Sequence, residues 1–167
     1  MGGPNHSRPS AYNRRGRWMF FSESLFRAVG VSERWYRDGL RFECTQCGAC
    51  CSGEPGYVWV DAEEIAAMAD VMNMSVTDFE SAYVRNVGPD KSLKERSNGD
   101  CVLLDVETRR CLAYEGRPVQ CQTWPFWDST VKRRADWEET CETCPGAGTG
   151  PLYTLEQIEV RRHRKSV

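Results

Sequence analysis

The chain carries the run Cys44-Thr-Gln-Cys47-Gly-Ala-Cys50-Cys51, four thiols within eight residues. Thiolates three residues apart can close on one ion or cluster, because a tight turn brings both sulfurs to the same side. Five more cysteines follow, Cys101, Cys111, Cys121, Cys141 and Cys144, while the only two histidines, His6 and His163, lie in the basic ends. A donor set made of sulfur alone suits zinc, iron–sulfur or Cu(I), not magnesium or calcium.

Cys44, Cys47 and Cys50 stand at i, i+3 and i+6 and can wrap three corners of one cluster. Loops of this kind take a fourth ligand from afar, often in a Cys-Pro pair, and Cys144-Pro145 supplies one. Gly48 suits a loop whose backbone N–H groups must come close to sulfide. Cys51 complicates the pattern. Neighbouring side chains in an extended loop point opposite ways, so Cys50 and Cys51 serve two sites, or one ligates and the other packs. Eight thiolates also divide evenly into two tetrahedral zinc sites. The triad with its Cys-Pro pair leans towards [4Fe-4S], and spacing alone separates neither outcome. Arg117 is a candidate to sit behind the thiolates, offsetting their repulsion and donating hydrogen bonds to sulfur. The plainer alternative is a surface arginine whose Pro118 sets a turn. Trp124, Pro125, Phe126 and Trp127 either shield a cluster from water or simply form core.

A disulfide framework competes with ligation for these thiols. It needs an oxidising compartment and prefers an even count, whereas this chain has nine cysteines. Adjacent cysteines such as Cys50 and Cys51 also make a strained ring. No apolar stretch approaches a bilayer span, and Trp18-Met19-Phe20-Phe21 is too short for a secretory core. The expectation is a cytoplasmic protein with reduced thiols and no membrane association. A net charge of −2 argues against nucleic acid as the main partner, although arginines gather at both ends.

The elements that must position these thiols point to an α+β class, one small domain with helices around a short antiparallel hairpin and cysteine-rich loops. Residues 1–17 read as a disordered basic arm, 18–150 as the metal-binding domain and 151–167 as a C-terminal helix with a basic tail. Within the domain the pattern predicts helix over 18–36, as one helix or as two broken near Gly30, an extended 40–43 and a strand at 57–60. A helix capped by Asp61 follows to about Met72, then one opened by Thr77 to about Val84. A polar linker from Pro89 to Asp100 leads into two strands, 101–105 and 111–114, joined by a turn. A turn at Arg117–Cys121, a short helix over 133–139, a loop from Cys141 to Gly150 and a helix capped by Thr154 complete it.

The ordered series has a known counterpart. Cys44-x-x-Cys47-x-x-Cys50-Cys51, Cys101-x-x-Leu104, Cys111-x-x-Tyr114-Glu115-x-Arg117-Pro118-x-x-Cys121-x-x-x-Pro125-Phe126 and Cys144-Pro145-Gly146-x-Gly148-x-Gly150 together resemble the YkgJ-type CxxCxxCC cysteine-cluster family, described as a zinc- or iron-chelating domain. The resemblance covers about Phe42 to Gly150. It implies metal binding by Cys44, Cys47, Cys50, Cys51, Cys101, Cys111, Cys121 and Cys144, and leaves Cys141 extra. Gln122 stands where the family usually has a basic residue. A similar domain is attached to the flagellin lysine methylase, where an iron–sulfur cluster is implicated, yet this chain shows no glycine-rich nucleotide loop and no CxxxCxxC of radical enzymes. The leading expectation is a non-catalytic module holding an iron–sulfur cluster or zinc, serving a protein partner in electron transfer or an accessory role. The alternatives are a metal-dependent redox or sulfur-transfer enzyme, and a structural zinc fold that mediates macromolecular contacts.

Overall fold

A computed structural model describes residues 34–164, and Trp35 onward belongs to one compact unit. The arm at 1–17 and nearly all of the helix expected over 18–36 lie outside the described residues. The fold is α+β. Strand β1 (Leu40–Phe42) leads into the first cysteine loop, which ends before an extended segment at 57–60. Helices α1 (Ala62–Val71) and α2 (Val76–Tyr83) follow, then the hairpin β2 (Val84–Val87) and β3 (Asp90–Leu93). After an irregular stretch come α3 (Val119–Thr123), α4 (Asp128–Val131) and α5 (Arg134–Thr143). Strand β4 (Ala147–Tyr153) and helix α6 (Leu155–Arg164) close the described chain.

Local signals set the helix starts. The Asp61 carboxylate accepts from the Glu64 amide at 2.8 Å while the Glu64 side chain accepts from Asp61 N–H, so two otherwise orphaned donors are satisfied. Thr154 and Gln157 make the same exchange at the head of α6. The cap of α2 is Ser75, whose hydroxyl accepts from Asp78 N–H at 3.1 Å, not Thr77. The helix therefore starts two residues earlier than the Thr77–Glu80 pattern suggested.

The sheets lie elsewhere than expected. β1 pairs antiparallel with β4, Leu40 opposite Tyr153 and Phe42 opposite Ala147 with an irregularity between. The stretch read as a loop to Gly150 is thus in part a strand, and β4 runs through residue 150 to Tyr153. Its glycines permit close approach. Gly150 has φ +74°, and a Cβ there would run into the side chain of Glu43. The supposed linker after Pro89 contains β3, paired with β2 across a Gly88-Pro89 turn. The 57–60 segment joins this hairpin through a bridge from Trp59 to Ser92, flanked by Val60 N–H to the Lys91 carbonyl, Leu93 N–H to the Val58 carbonyl and Val58 N–H to the Ser92 hydroxyl.

Two apolar cores flank the site. One gathers Ile65, Met68, Phe79, Leu93 and Leu103 under α1, α2 and the hairpin. The other gathers Tyr36, Phe42, Phe126, Val131, Trp137 and Ile158 between β1, β4 and the C-terminal helices. Each fully buried side chain of this size contributes about 1.5–3 kcal/mol relative to exposure.

Candidate metal centre

Each cysteine is delivered by a distinct local device. β1 ends at Phe42, and Glu43 N–H donates to the Gly146 carbonyl at 3.1 Å, which fixes where Cys44 leaves the sheet. The loop then turns through Gln46 (φ 56°) and Gly48 (φ 75°) into a 3-10 turn at Ala49–Cys51. Cys51 N–H and the Ser52 hydroxyl both donate to the Gly48 carbonyl, at 3.0 and 3.1 Å. Cys101 N–H donates to the Cys51 carbonyl at 2.7 Å and ties this loop to the second cysteine segment.

That segment is not the pair of strands expected. Cys101 and Cys111 each sit in an isolated bridge, to Glu95 and Leu104 respectively, with turns between. Turns at 102–103 and 112–113 interrupt both segments, and Leu103 and Leu104 are buried side by side. Arg96 holds the turn instead, donating to the carbonyls of Leu104 at 2.6 Å and Val102 at 3.0 Å. Arg109 takes a left-handed conformation and pairs with Asp100 at 2.8 Å.

Cys121 lies on α3, where only a turn was expected. Glu64 of α1 accepts from Val119 N–H at 2.7 Å, while the buried Gln120 accepts from Trp59 N–H and donates to the Tyr57 carbonyl. Helix α3 is thereby bolted to α1 and to the 57–60 segment. Helix α5 extends to Thr143, past the Glu139 limit expected, and buried Cys144 caps its end.

These devices bring Cys44, Cys47, Cys50, Cys51, Cys101, Cys111, Cys121 and Cys144 to the wall of one cavity of about 90 Å³ between the two cores. Cys141 is not on that wall; it is half-buried against the second core. Phe42, Met68, Leu93, Leu103 and Trp124 supply much of the apolar lining, and Tyr114, Arg117 and Gln122 are among the polar residues on the same wall. Cys50 and Cys51 hold their sulfurs 3.9 Å apart. The Arg117 guanidinium lies 3.8 Å from the Tyr114 ring centre and donates to the Tyr114 carbonyl at 2.6 Å. It is a rigidly held cation beside the thiols, not a free surface residue.

Cys51, Cys101, Cys111 and Cys121 form an enclosed set in which every pair interacts electrostatically. Burial pushes the Cys101 thiol up to about 12, and burial also raises Cys111 and Cys121. Cys51 is raised by its contact with Cys50, then by burial and by charge on Cys50 and Cys47. Arg109 acts against this at Cys51, and Arg117 at Cys111 and Cys121. Four thiols packed this way ionise together only around a cation, which reverses both the burial and the repulsion penalties. Tyr114 is raised as well, first by its hydrogen bond with Cys44.

The residues fit a metal group on three counts. The donors are all sulfur. Arg117 supplies a compensating charge. The buried Trp124 Nε1–H has no hydrogen-bond partner, on a residue that lines the cavity, and thiolate or sulfide would accept from it. Among the described residues no three Cys, His, Asp or Glu side chains already stand at single-ion separation. The thiols surround a space; they do not close on a point.

Residues 43–145, more than half the chain, match the family CxxCxxCC, "Putative zinc- or iron-chelating domain". The chain belongs to that family. It is also 30% identical over 92 residues to a protein of Methanocaldococcus jannaschii named Uncharacterized protein MJ0661, a match that spans 54% of this chain and 48% of that relative. The chain thus spans about half the length of that relative. No solved structure matches. Among the described residues no helix is long and apolar enough to cross a membrane.

Sequence reasoning singled out Arg117 but passed over Arg109 and Tyr114 as site groups. Tyr114 stood within the quoted motif, three residues after Cys111. Arg109 carried no sequence signal, because only the left-handed turn at that residue brings its charge near Cys51.

Proposed function

We propose that the protein is a metal-carrying module in which the eight cavity cysteines hold an iron–sulfur centre, with [4Fe-4S] as the favoured form, for a redox or accessory role with a protein partner. The observation that carries this is the gathering of eight of nine cysteines on one cavity of about 90 Å³. On the same measure one water needs about 10–15 Å³, so the space exceeds what a single ion takes up and suits a polynuclear core. Apolar walls and an arginine beside the thiols suit a cluster, since burial and hydrogen bonds to sulfur stabilise it and set its potential.

A second reading, zinc ions in place of the cluster, has one specific observation in its favour. Four sulfurs at about 2.3 Å from zinc lie about 3.8 Å from one another, close to the 3.9 Å between Cys50 and Cys51. Anaerobic purification followed by iron, zinc and acid-labile sulfide analysis with a visible spectrum separates the two. A brown protein with iron and sulfide in equal amounts supports the cluster. Tightly held zinc without sulfide, persisting after expression with added iron, would replace it with a structural zinc fold.

A further inference from the structure

Beside the cysteine cavity lies a wider one of about 610 Å³. Six residues, Phe42, Cys44, Tyr114, Arg117, Gln122 and Trp124, wall both cavities, so the two adjoin at the Cys44 edge. The far wall brings in Arg161 and Arg164 from the last turns of α6, with Val160 and Tyr153. Three arginines therefore line one space, and among the described residues no aspartate or glutamate lines it with them.

These arginines differ from their neighbours in what they pair with. Among the described residues, neither Arg117, Arg161 nor Arg164 has a carboxylate at ion-pair distance. Arg162, between them in sequence, pairs with Asp128 at 3.0 Å and Glu159 at 3.7 Å. Two of the three are also held in place. Arg117 lies over Tyr114, and Arg161 lies 4.5 Å from the Tyr153 ring centre while donating once, to the Gln157 carbonyl. A guanidinium has five N–H donors, so each retains several for a ligand. Like charges sharing a cavity repel one another, and an anion between them removes that cost. The planar fork matches carboxylate and phosphate oxygens in pairs. A volume of this size lies within the range of small-molecule sites, about 300–1,000 Å³.

We propose that this cavity binds a small organic anion, a phosphate ester or a carboxylate, its head on Arg117, Arg161 and Arg164 and its apolar body against Phe42, Trp124 and Val160. The anion site stands on its own lining. Only its place as the substrate side of a metal centre rests on the function proposed above.

The test uses the full chain, purified anaerobically with its metal content measured, titrated calorimetrically with phenyl phosphate and with benzoate. Arg161→Gln combined with Arg164→Gln is the test variant, and Arg134→Gln, on α5, is the control. The proposal expects at least one anion to bind the wild type and the control alike, and to bind the double variant at least ~10-fold more weakly. Metal content and melting temperature stay unchanged in the double variant. Failure of both anions to bind the metal-loaded chain overturns the proposal, and so does equal binding by the double variant. A chain that holds no metal yet binds these anions through Arg161 and Arg164 keeps the anion site and ends the metal reading.

Discussion

Gly48→Ala is the sharpest single perturbation of the cysteine loop. Gly48 has φ +75°, and a Cβ at that position would run into the Arg109 carbonyl and meet the Leu104 methyl at 2.8 Å. The left-handed conformation costs an L-residue about 1–2 kcal/mol. The steric part adds about 1–3 kcal/mol, the usual cost of forcing extra volume into a packed site. Neither neighbour can yield freely. Arg109 is itself in a left-handed turn and tied to Asp100, and Leu104 is fully buried. The expected loss is therefore about 2–5 kcal/mol, or roughly 4–20 °C in melting temperature for a chain of this size. Gly148→Ala is the control, because Gly148 has a matching φ (+80°) and only an ordinary contact, Cys141 Sγ at 3.5 Å, near its would-be Cβ. Urea melts of the two reduced, metal-free variants read the difference. If Gly48→Ala melts within about 0.5 kcal/mol of Gly148→Ala, the packing of the loop onto the Arg109 turn is wrong.

Three further outcomes follow from the site and the cores. Cys47→Ser should lower bound metal per chain sharply while Cys141→Ser leaves it at the wild-type level, as metal analysis of the two purified variants will show; equal losses would bring Cys141 into the centre. In metal-free protein the raised thiols are protonated in both folded and unfolded states below about pH 8.5. Their contribution to stability is whole there and is lost as pH rises towards the folded value of about 12 at Cys101, because the unfolded chain ionises first. Metal uptake runs the other way, releasing protons and weakening as pH falls; denaturation midpoints from pH 7 to 11, with and without metal, should move in opposite directions. Phe79→Ala removes a fully buried ring from the first core and should cost about 3–5 kcal/mol by denaturant titration.

What was legible in the chain was what is decided locally. The Asp61–Glu64 and Thr154–Gln157 capping pairs are exchanges across three residues, and both hold. The β1–β4 pairing was not legible, because it joins residues more than 100 positions apart through a strand whose glycines imitate a loop. Gly150 is there for close approach to Glu43, which only the folded chain reveals. The β2–β3 hairpin did leave a signal, the two-residue Gly88-Pro89 turn between Val84–Val87 and Asp90–Leu93. Its polar residues hid it, since Ser92 is buried and bonded while Asp90 faces solvent. At the site, residue types and spacing pointed to the Cys44–Cys51 cluster and to Cys144, and the family resemblance supplied the full set of eight thiols, which line one cavity. The pairing of Cys51 with Cys101, Cys111 and Cys121 depends on the Cys101-to-Cys51 backbone bond and on the Gln120 anchor of α3, neither of which has a sequence signature.

X-ray absorption at the metal edge of the anaerobically purified full chain tests the central claim most directly. The account predicts a first shell of sulfur alone, at about 2.3 Å if the metal is zinc, and unchanged in Cys141→Ser. A first shell dominated by nitrogen or oxygen would contradict it, as would a spectrum that changes when Cys141 is replaced.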